Sequence, residues 1–260
     1  MINMKKEIST TLLIFGFLAV FSLMAVFVWA DSDEPFGVTN IAPGASSRPD
    51  LSSYPPSQTE AEAGNITELN LTAISTTKAW QGYYGEITGT LTLEDSSGNV
   101  FYNWSTMEPK GEIYACINNT INWSAIACFE FDGSNGFTVD TAEGWFGIQD
   151  DDSDGINETF TDNMNLFFKV GTHNITTNTC PATNAYQNGA PVNENFENVL
   201  LTDTAVLIFT TIIENNVADN STDIVGFDGV THDFQLLVAE NGQDGFEDTT
   251  TTYYFWAEIE

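Results

Sequence analysis

The sequence predicts an all-β fold, a β-sandwich-like ectodomain of about ten strands that follows an N-terminal hydrophobic helix and a disordered linker. From Asn65 onward, short segments rich in Thr, Ile, Val, Tyr and Phe alternate apolar with polar residues, and Gly, Asn, Asp and Ser separate them. No window beyond residue 30 has helical periodicity of comparable strength. Hydrophobic residues make up 42% of the 260 residues, which suffices for a real core.

The first 30 residues are predicted to be a signal peptide or an N-terminal transmembrane anchor. Two lysines, Lys5 and Lys6, precede residues 12–29, which contain no charged side chain. This run of about 18 residues is longer than a usual signal-peptide core and just long enough to span a bilayer. Val28 and Ala30 also fit the positions that a signal peptidase requires. Cleavage after Ala30 and retention in the membrane therefore stay equally open, and both deliver the rest of the chain to the outside, membrane-bound or secreted.

Residues 31–64 are predicted to be a linker. Pro, Ser, Gly and acidic residues are concentrated there, and no apolar period is sustained. The predicted organisation is therefore residues 1–30 for export or anchoring, residues 31–64 for the linker and residues 65–260 for one extracellular β domain.

The strands of this domain are predicted from apolar residues at every second position. Leu69, Leu71 and Ala73 alternate with polar residues, and residues 86–104 predict a hairpin that turns at residues 95–99. A second hairpin is predicted to join residues 112–117 to residues 121–131. Further strands are predicted near residues 144–148, 164–170, 198–202, 204–214, 232–239 and 252–259.

The aromatic residues are expected to divide between core and surface. Trp104, Trp123 and Trp256 fall in strand patterns and are predicted to be core residues. Trp80–Gly85 is the least core-like aromatic set, so a binding role would use that predicted loop.

The charge balance excludes one class of partner. The chain has 6 Lys and Arg against 37 Asp and Glu, a formal net charge of −31. Binding to nucleic acid requires clusters of basic residues, and the sequence has none. We therefore predict no nucleic-acid partner.

Three cysteines, Cys116, Cys128 and Cys180, follow the exported segment, so an oxidising environment would permit one disulfide. Three pairings are open, and three free buried thiols are a further alternative. Cys128–Cys180 is favoured because it closes the longer loop and constrains the unfolded chain more strongly than a Cys116–Cys128 bond.

N-glycosylation is predicted for N-x-S/T acceptor sequences. Their number is about twice that expected from composition, and Asn70 and Asn103 lie on the polar faces of predicted strands. The alternative is that these residues form hydrogen-bonded ladders of Asn and Thr. The acceptor residues are Asn65, Asn70, Asn103, Asn118, Asn122, Asn157, Asn174 and Asn220.

Asp150, Asp152 and Asp154, followed by Gly155, match the first half of a calcium-binding loop. The second half departs from the pattern, because Thr161 occupies the position of the bidentate Glu. A solvated acidic loop is therefore the favoured interpretation. Calcium is the only cofactor that the pattern leaves open.

No motif for a catalytic nucleophile, a zinc site or a phosphate loop occurs in the sequence. His173 and His232 are not placed beside a nucleophile, and a pair of catalytic carboxylates means little where acidic residues are this numerous. We therefore predict that the protein is not an enzyme.

Several segments together carry a resemblance to a protein family. They are Ala79–Gly85, Ile87–Gly89, Ser97–Ser105, Gly111–Ala115, Asn122–Ser124, Gly226–Gly229 and His232–Gln235. With these segments the chain resembles uncharacterised archaeal exported or membrane-anchored surface proteins with a β-rich ectodomain. The resemblance implies a cell-surface location, and it implies no activity and no catalytic residue.

These observations predict a cell-surface structural or adhesive protein: an envelope component, a filament subunit or a partner-binding ectodomain. Its expected partners are the membrane through residues 12–29 if they are uncleaved, cell-surface proteins or glycans, and further copies of itself. The alternative is a module that binds or hydrolyses carbohydrate at the cell surface.

Overall fold

The computed structural model describes residues 34–50, 55–104, 111–161, 165–192, 195–213, 224–242 and 250–259. The predicted hydrophobic segment at residues 12–29 and the acceptor Asn220 lie outside these ranges. Within the described part of the chain strands predominate, which confirms the all-β prediction. The strands are β1 (Phe36–Gly37), β2 (Trp80–Gly85), β3 (Leu91–Glu94), β4 (Val100–Trp104), β5 (Gly111–Cys116), β6 (Ala127–Cys128), β7 (Phe168–Val170), β8 (His173–Ile175), β9 (Ala182–Asn184), β10 (Tyr186–Gln187), β11 (Ala190–Pro191), β12 (Glu197–Thr202), β13 (Leu207–Ile212), β14 (Phe234–Ala239) and β15 (Tyr254–Ile259).

Seven strands form one antiparallel sheet in the order β1-β15-β5-β13-β12-β6, and β9 also pairs with β12. The remaining strands form four two-stranded ribbons, which are β2 with β14, β3 with β4, β7 with β8 and β10 with β11. The described residues also form two short α-helices, α1 (Val139–Trp145) and α2 (Ile156–Thr159). Neither helix reaches the length or the apolar content of a bilayer-spanning segment.

The central strands of the sheet are buried on both faces. Leu200 and Phe209 belong to one apolar cluster, whereas Val199, Leu201 and Ile208 belong to a second cluster on the other face. Because successive side chains of a strand point to opposite faces, β12 and β13 must be apolar on both. The predictions of strands near residues 198–202 and 204–214 are confirmed, as are those near 232–239 and 252–259.

The β2–β14 ribbon and the two helices cover the first face. Leu236 and Val238 of β14 are buried in the first cluster, together with residues of α1 and α2. Asn198 of β12 fastens the ribbon, because its Oδ1 accepts from Leu237 N at 2.8 Å and its Nδ2 donates to Gln235 O at 3.0 Å. The second face is covered by a 3₁₀ turn, Trp123–Ala125, and by the β7–β8 ribbon.

Two predictions about strands and their pairing are wrong. Residues 69–73 form no strand, and Leu71 is 87% exposed. Residues 112–117 do not form a hairpin with residues 121–131, because β5 pairs with β13 on one side and β15 on the other. β6 pairs instead with β12.

The strand predicted near residues 144–148 is also wrong, because the chain there forms the end of α1. Thr138 caps this helix, since its Oγ1 accepts from Thr141 N at 3.4 Å. Asp140 lies in the first turn, where a negative charge stabilises the helix dipole.

The aromatic predictions have a mixed outcome. Trp123 is buried and Trp256 is partly buried against the second cluster, as predicted, but Trp104 is 45% exposed. Trp80–Gly85 is a strand instead of a loop. Trp80 packs on the core, with its ring centroid 5.8 Å from that of Phe160.

Candidate functional site

The β3–β4 hairpin exposes an apolar face that packs on no described core cluster. Leu91 pairs with Trp104 and Leu93 pairs with Tyr102, so these four side chains share one side of the hairpin. The exposed fraction is 51% for both Leu91 and Leu93, 45% for Trp104 and 56% for Tyr102. The rings of Tyr102 and Trp104 are in contact, with centroids 4.7 Å apart. We refer to these four residues as the hairpin face.

The opposite side of the hairpin is more polar. Thr92 pairs with Asn103, and Phe101 on the same side is exposed. A glycan on the predicted acceptor Asn103 would therefore extend away from the hairpin face. The alternation in residues 86–104 is as predicted, but the apolar side is exposed, because no described element packs over it.

The turn of this hairpin is held by Asp95. Its carboxylate accepts hydrogen bonds from Ser97 N, Asn99 N and Asn99 Nδ2 at 2.8–2.9 Å. The hydrogen bond from the Asn99 side chain is the main cause that lowers the pKa of Asp95, and the two backbone bonds add to it. The hairpin therefore presents its apolar face on a defined turn.

A second exposed group lies where β2 meets the loop before β14. The ring of Tyr84 is in contact with those of Phe227 and His232, with centroids 4.9 and 4.8 Å away. Tyr84 and Phe227 are about half exposed, whereas His232 is buried beneath them. We refer to these three residues as the aromatic patch.

Carboxylates border the aromatic patch. His232 Nε2 lies 3.1 Å from Asp228 Oδ1, and His232 Nδ1 lies 4.0 Å from Glu86 Oε1. Asp228 Oδ1 also accepts from Val230 N at 3.0 Å. This backbone bond is the main cause that lowers the pKa of Asp228, and His232 contributes. Asp228 is thus held as a charged acceptor at neutral pH.

The buried side chain of Gln235 fixes the loop of the aromatic patch. Its Oε1 accepts from Phe227 N at 2.8 Å, and its Nε2 donates to Tyr186 O at 3.0 Å. Gly226 is required in this loop because a Cβ there would lie 2.6 Å from His232 Cδ2. The loop that carries the exposed ring of Phe227 is therefore held in place by hydrogen bonds, although the sequence predicted no binding role for this residue. Its place in a Gly-Phe-Asp-Gly turn was the available signal.

The structure does not bring the three predicted calcium ligands together. Asp152 accepts from Gln149 N at 2.8 Å, and Asp154 accepts a hydrogen bond from Thr77 Oγ1. Only Asp150 of the three joins a described acidic cluster. The alternate-residue spacing fails here because two of the carboxylates bind groups of the protein itself.

The acidic cluster consists of Asp140, Glu143 and Asp150, whose oxygens lie within 4.8 Å of one another. Glu143 is buried and its Oε1 accepts from Ile156 N at 2.8 Å. Burial is the main cause that raises the pKa of Glu143, and the charges of Glu158 and Asp140 raise it further. Three carboxylates around one point are suitable ligands for a hard cation. Asp140 and Glu143 were not predicted as ligands, because they come close to Asp150 only through the formation of α1.

Cys128 and Cys180 form a disulfide in the structure, which is the pairing favoured from the sequence, and Cys116 is a buried free cysteine. The bond attaches β6, at the edge of the sheet, to the segment before β9. Burial is the main cause that raises the pKa of Cys116, to about 11. The Cys116 thiol is therefore neutral and has no access to solvent.

The predicted glycosylation sites can be compared by their exposure. Asn157 is half-buried, and the other six described acceptors are exposed. Exposure is what attachment of a glycan requires, so glycosylation stays a prediction for these six. They are Asn65, Asn70, Asn103, Asn118, Asn122 and Asn174.

No family model, curated protein or solved structure matches this chain. The archaeal resemblance therefore stays a prediction, and the function has to be argued from the residues of the chain.

Proposed function

We propose that the protein is a cell-surface structural or adhesive protein whose β-rich ectodomain associates with further copies of itself. The observation that supports this most directly is the hairpin face. Large apolar side chains in contact with one another on an exposed ribbon are unfavourable in water, and they are typical of surfaces that bind a partner.

The edges of the β3–β4 ribbon support the same function. Natural proteins protect exposed strand edges with Lys, Pro or a covering element. Residues 91–104 contain neither Lys nor Pro, and among the described strands none pairs with the ribbon as a third member. Its backbone is therefore available for pairing with a strand of another molecule.

Charge restricts the surface through which a second copy can bind. Two chains with a net charge of −31 repel one another at most orientations. The hairpin face contains no charged side chain, so it is a place where two copies can approach. Four side chains are fewer than the roughly 20–30 residues of a stable interface. A single contact is thus expected to be weak, and repeated contacts would strengthen it.

Sedimentation of the full chain in mild detergent, over a range of protein and salt concentrations, tests this function. We expect association that grows with protein concentration and with salt, because salt screens the repulsion. Trp104→Ser should abolish it. Phe101→Ser is the matched control, because Phe101 is 85% exposed on the opposite side of the same hairpin. Equal association of both variants would contradict the proposal.

Carbohydrate binding is a second candidate, and the aromatic patch favours it. Exposed rings stack on the apolar faces of sugars, and fixed carboxylates accept hydrogen bonds from hydroxyl groups. Tyr84 and Phe227 supply the rings, while Asp228 and Glu86 supply the acceptors.

Titration of the chain with glycans identified on an array tests this second function. Tyr84→Ala should remove binding, whereas Tyr102→Ala, a tyrosine of similar exposure on the hairpin face, should retain it. The two variants should have the reverse effects on self-association. Binding that depends strongly on salt would indicate a basic ligand instead of a neutral sugar.

A further inference from the structure

Residues 66–74 have the sequence pattern of a strand but lie on the surface outside any described strand. Leu69, Leu71 and Ala73 alternate with polar residues, which is the pattern of a strand with one apolar side. Every residue of this range is exposed, and Leu71 is 87% exposed. The range therefore has the side chains of a strand and lacks a neighbouring strand. We refer to residues 66–74 as the alternating segment.

A turn precedes the alternating segment, and an attachment to the ectodomain follows it. In the turn, Asn65 N donates to Glu62 O at 3.3 Å. After the segment, Thr77 Oγ1 donates a hydrogen bond to Asp154. The alternating segment therefore extends from a fixed point on the ectodomain, and its backbone is accessible where it stands.

The β3–β4 ribbon of the same chain is not the neighbour of this segment. Between the two, Thr77 is attached to Asp154, and β2 pairs with β14 at six positions. These contacts fix the intervening chain. Among the described pairs, β4 pairs with β3 and not with the alternating segment. A second copy carries the same ribbon, and no covalent connection restricts how that ribbon approaches.

Charge favours the edge of β4 for this approach. Two copies with a net charge of −31 repel one another, so contact is easiest between uncharged surfaces. Residues 69–77 contain no charged side chain, and neither does β4, whereas β3 ends with Glu94. The alternating segment and β4 are thus an uncharged pair of surfaces in a strongly acidic protein.

The side chains of the two surfaces also match. On a strand added beside β4, Leu71 and its alternate neighbours can lie on the same side as Tyr102 and Trp104. Aliphatic and aromatic side chains on neighbouring strands stabilise a sheet. Asn70 and Asn103, which are predicted glycosylation acceptors, would then lie on the opposite side. Glycans at these positions would leave the apolar side open for contact.

We propose that the alternating segment of one copy adds as a third strand to the β4 edge of a second copy. An isolated two-stranded ribbon is marginally stable in water, and a third strand with an apolar side stabilises it. Backbone hydrogen bonds supply affinity, and the alternate apolar side chains supply specificity. This inference rests on the proposed self-association, and it identifies the segment that binds beside the hairpin face.

Strand addition of this kind joins two different surfaces. Each copy carries one alternating segment and one β4 edge, so the contact is head-to-tail. A head-to-tail contact gives a closed ring or an open filament, depending on the rotation between neighbours. Two variants that are each defective in a different surface should therefore complement one another.

Substitution in the alternating segment is the first test. Leu71→Ser in the full chain should abolish association in the sedimentation measurement described above. Ile66→Ser is the matched control, because Ile66 is 102% exposed and alternates to the other side of the segment. It should associate like the unaltered chain. Both side chains are exposed, so the melting temperature of each variant should be unchanged.

Mixing two variants is the second test. Leu71→Ser retains an intact β4 edge, and Trp104→Ser retains an intact alternating segment. Native mass spectrometry of the mixture should detect a dimer of one copy of each, although each variant alone is a monomer. The dimer should not grow further, because its remaining segment and its remaining edge are both defective. A mixture that stays monomeric would overturn the inference, since it would mean that like surfaces associate.

A labelled peptide of residues 64–76 provides an independent measurement on the unaltered chain. Saturable binding that is lost in Trp104→Ser supports strand addition, and no binding at millimolar peptide overturns it. The two proposals can fail separately. If Trp104→Ser abolishes association while Leu71→Ser associates like the unaltered chain, the proposed function stands and strand addition by this segment does not. If neither variant weakens association, both proposals are contradicted.

Discussion

Two hairpins of this protein differ in sequence pattern and in surroundings. Both are antiparallel pairs, but apolar residues occupy alternate positions in β3–β4, whereas they are consecutive at residues 199–201 of β12 and 207–209 of β13. Both sides of β3–β4 face solvent, whereas β12 is buried along its whole length. The second hairpin has β5, β6 and β9 as neighbours and a covering layer on each face.

The difference shows what a local pattern decides. Alternation and a turn are enough to form a hairpin, but burial depends on segments distant in sequence. Apolar residues of β12–β13 therefore stabilise the fold, whereas those of β3–β4 form the exposed surface that we propose binds a partner. Substitutions in the two hairpins should consequently affect different properties.

The largest expected contrast is between Phe209→Ala and Tyr102→Ala. Phe209 of β13 is buried and its ring meets those of Trp80 and Phe146. Its removal leaves a cavity and should lower the free energy of unfolding by about 3–5 kcal/mol. Tyr102→Ala should change that free energy by less than about 0.5 kcal/mol. Chemical denaturation measures both values, and equal losses would refute the distinction between the hairpins.

Removal of the disulfide should lower the free energy of unfolding by about as much as Phe209→Ala does. Cys128 and Cys180 are separated by 52 residues. Replacing both with Ala should lower the free energy of unfolding by about 4 kcal/mol, because the unfolded chain gains freedom. The denaturation midpoint of the unaltered protein, with and without reductant, provides a second measurement. An unchanged midpoint would mean that the bond does not constrain the unfolded chain.

The smallest expected effect on stability is a pH dependence that arises from Glu143 of α1, in the helical layer that covers β12–β13. Because burial and neighbouring carboxylates raise the pKa of Glu143 above its ordinary 4.5, the folded state binds its proton more tightly than the unfolded state. This contribution to stability is fully present below that value and is lost as the pH rises through the raised pKa. Glu143→Gln should therefore become more stable relative to the unaltered protein as the pH rises towards neutral.

Melting temperatures across this pH range measure the effect. Glu130→Gln, which alters an exposed carboxylate, is the control and should show no such trend. Added calcium should stabilise the unaltered protein more than Glu143→Gln if the acidic cluster binds the cation. Parallel pH profiles for Glu143→Gln and the unaltered protein would contradict the assigned role of Glu143.

The sequence predicts features that depend on local patterns, and it misses those that depend on segments distant in the chain. The all-β class and strands β12–β15 were predictable because their apolar patterns are strong and continuous. The strand at residues 69–73 was predicted wrongly, because alternation there has no partner to pair with. The acidic cluster and the aromatic patch combine residues of separate elements, Asp140 with Asp150 and Tyr84 with Phe227. Only the pairing of elements in the fold brings such residues together.

The central claim is that the hairpin face is the surface through which copies associate. Radical footprinting of the full chain across a dilution series tests it, because oxidation of each aromatic ring reports its exposure. We expect Tyr102 and Trp104 to become protected as the concentration rises, while Phe101 stays fully reactive. Unchanged reactivity of Tyr102 and Trp104 in an associated sample would contradict the claim.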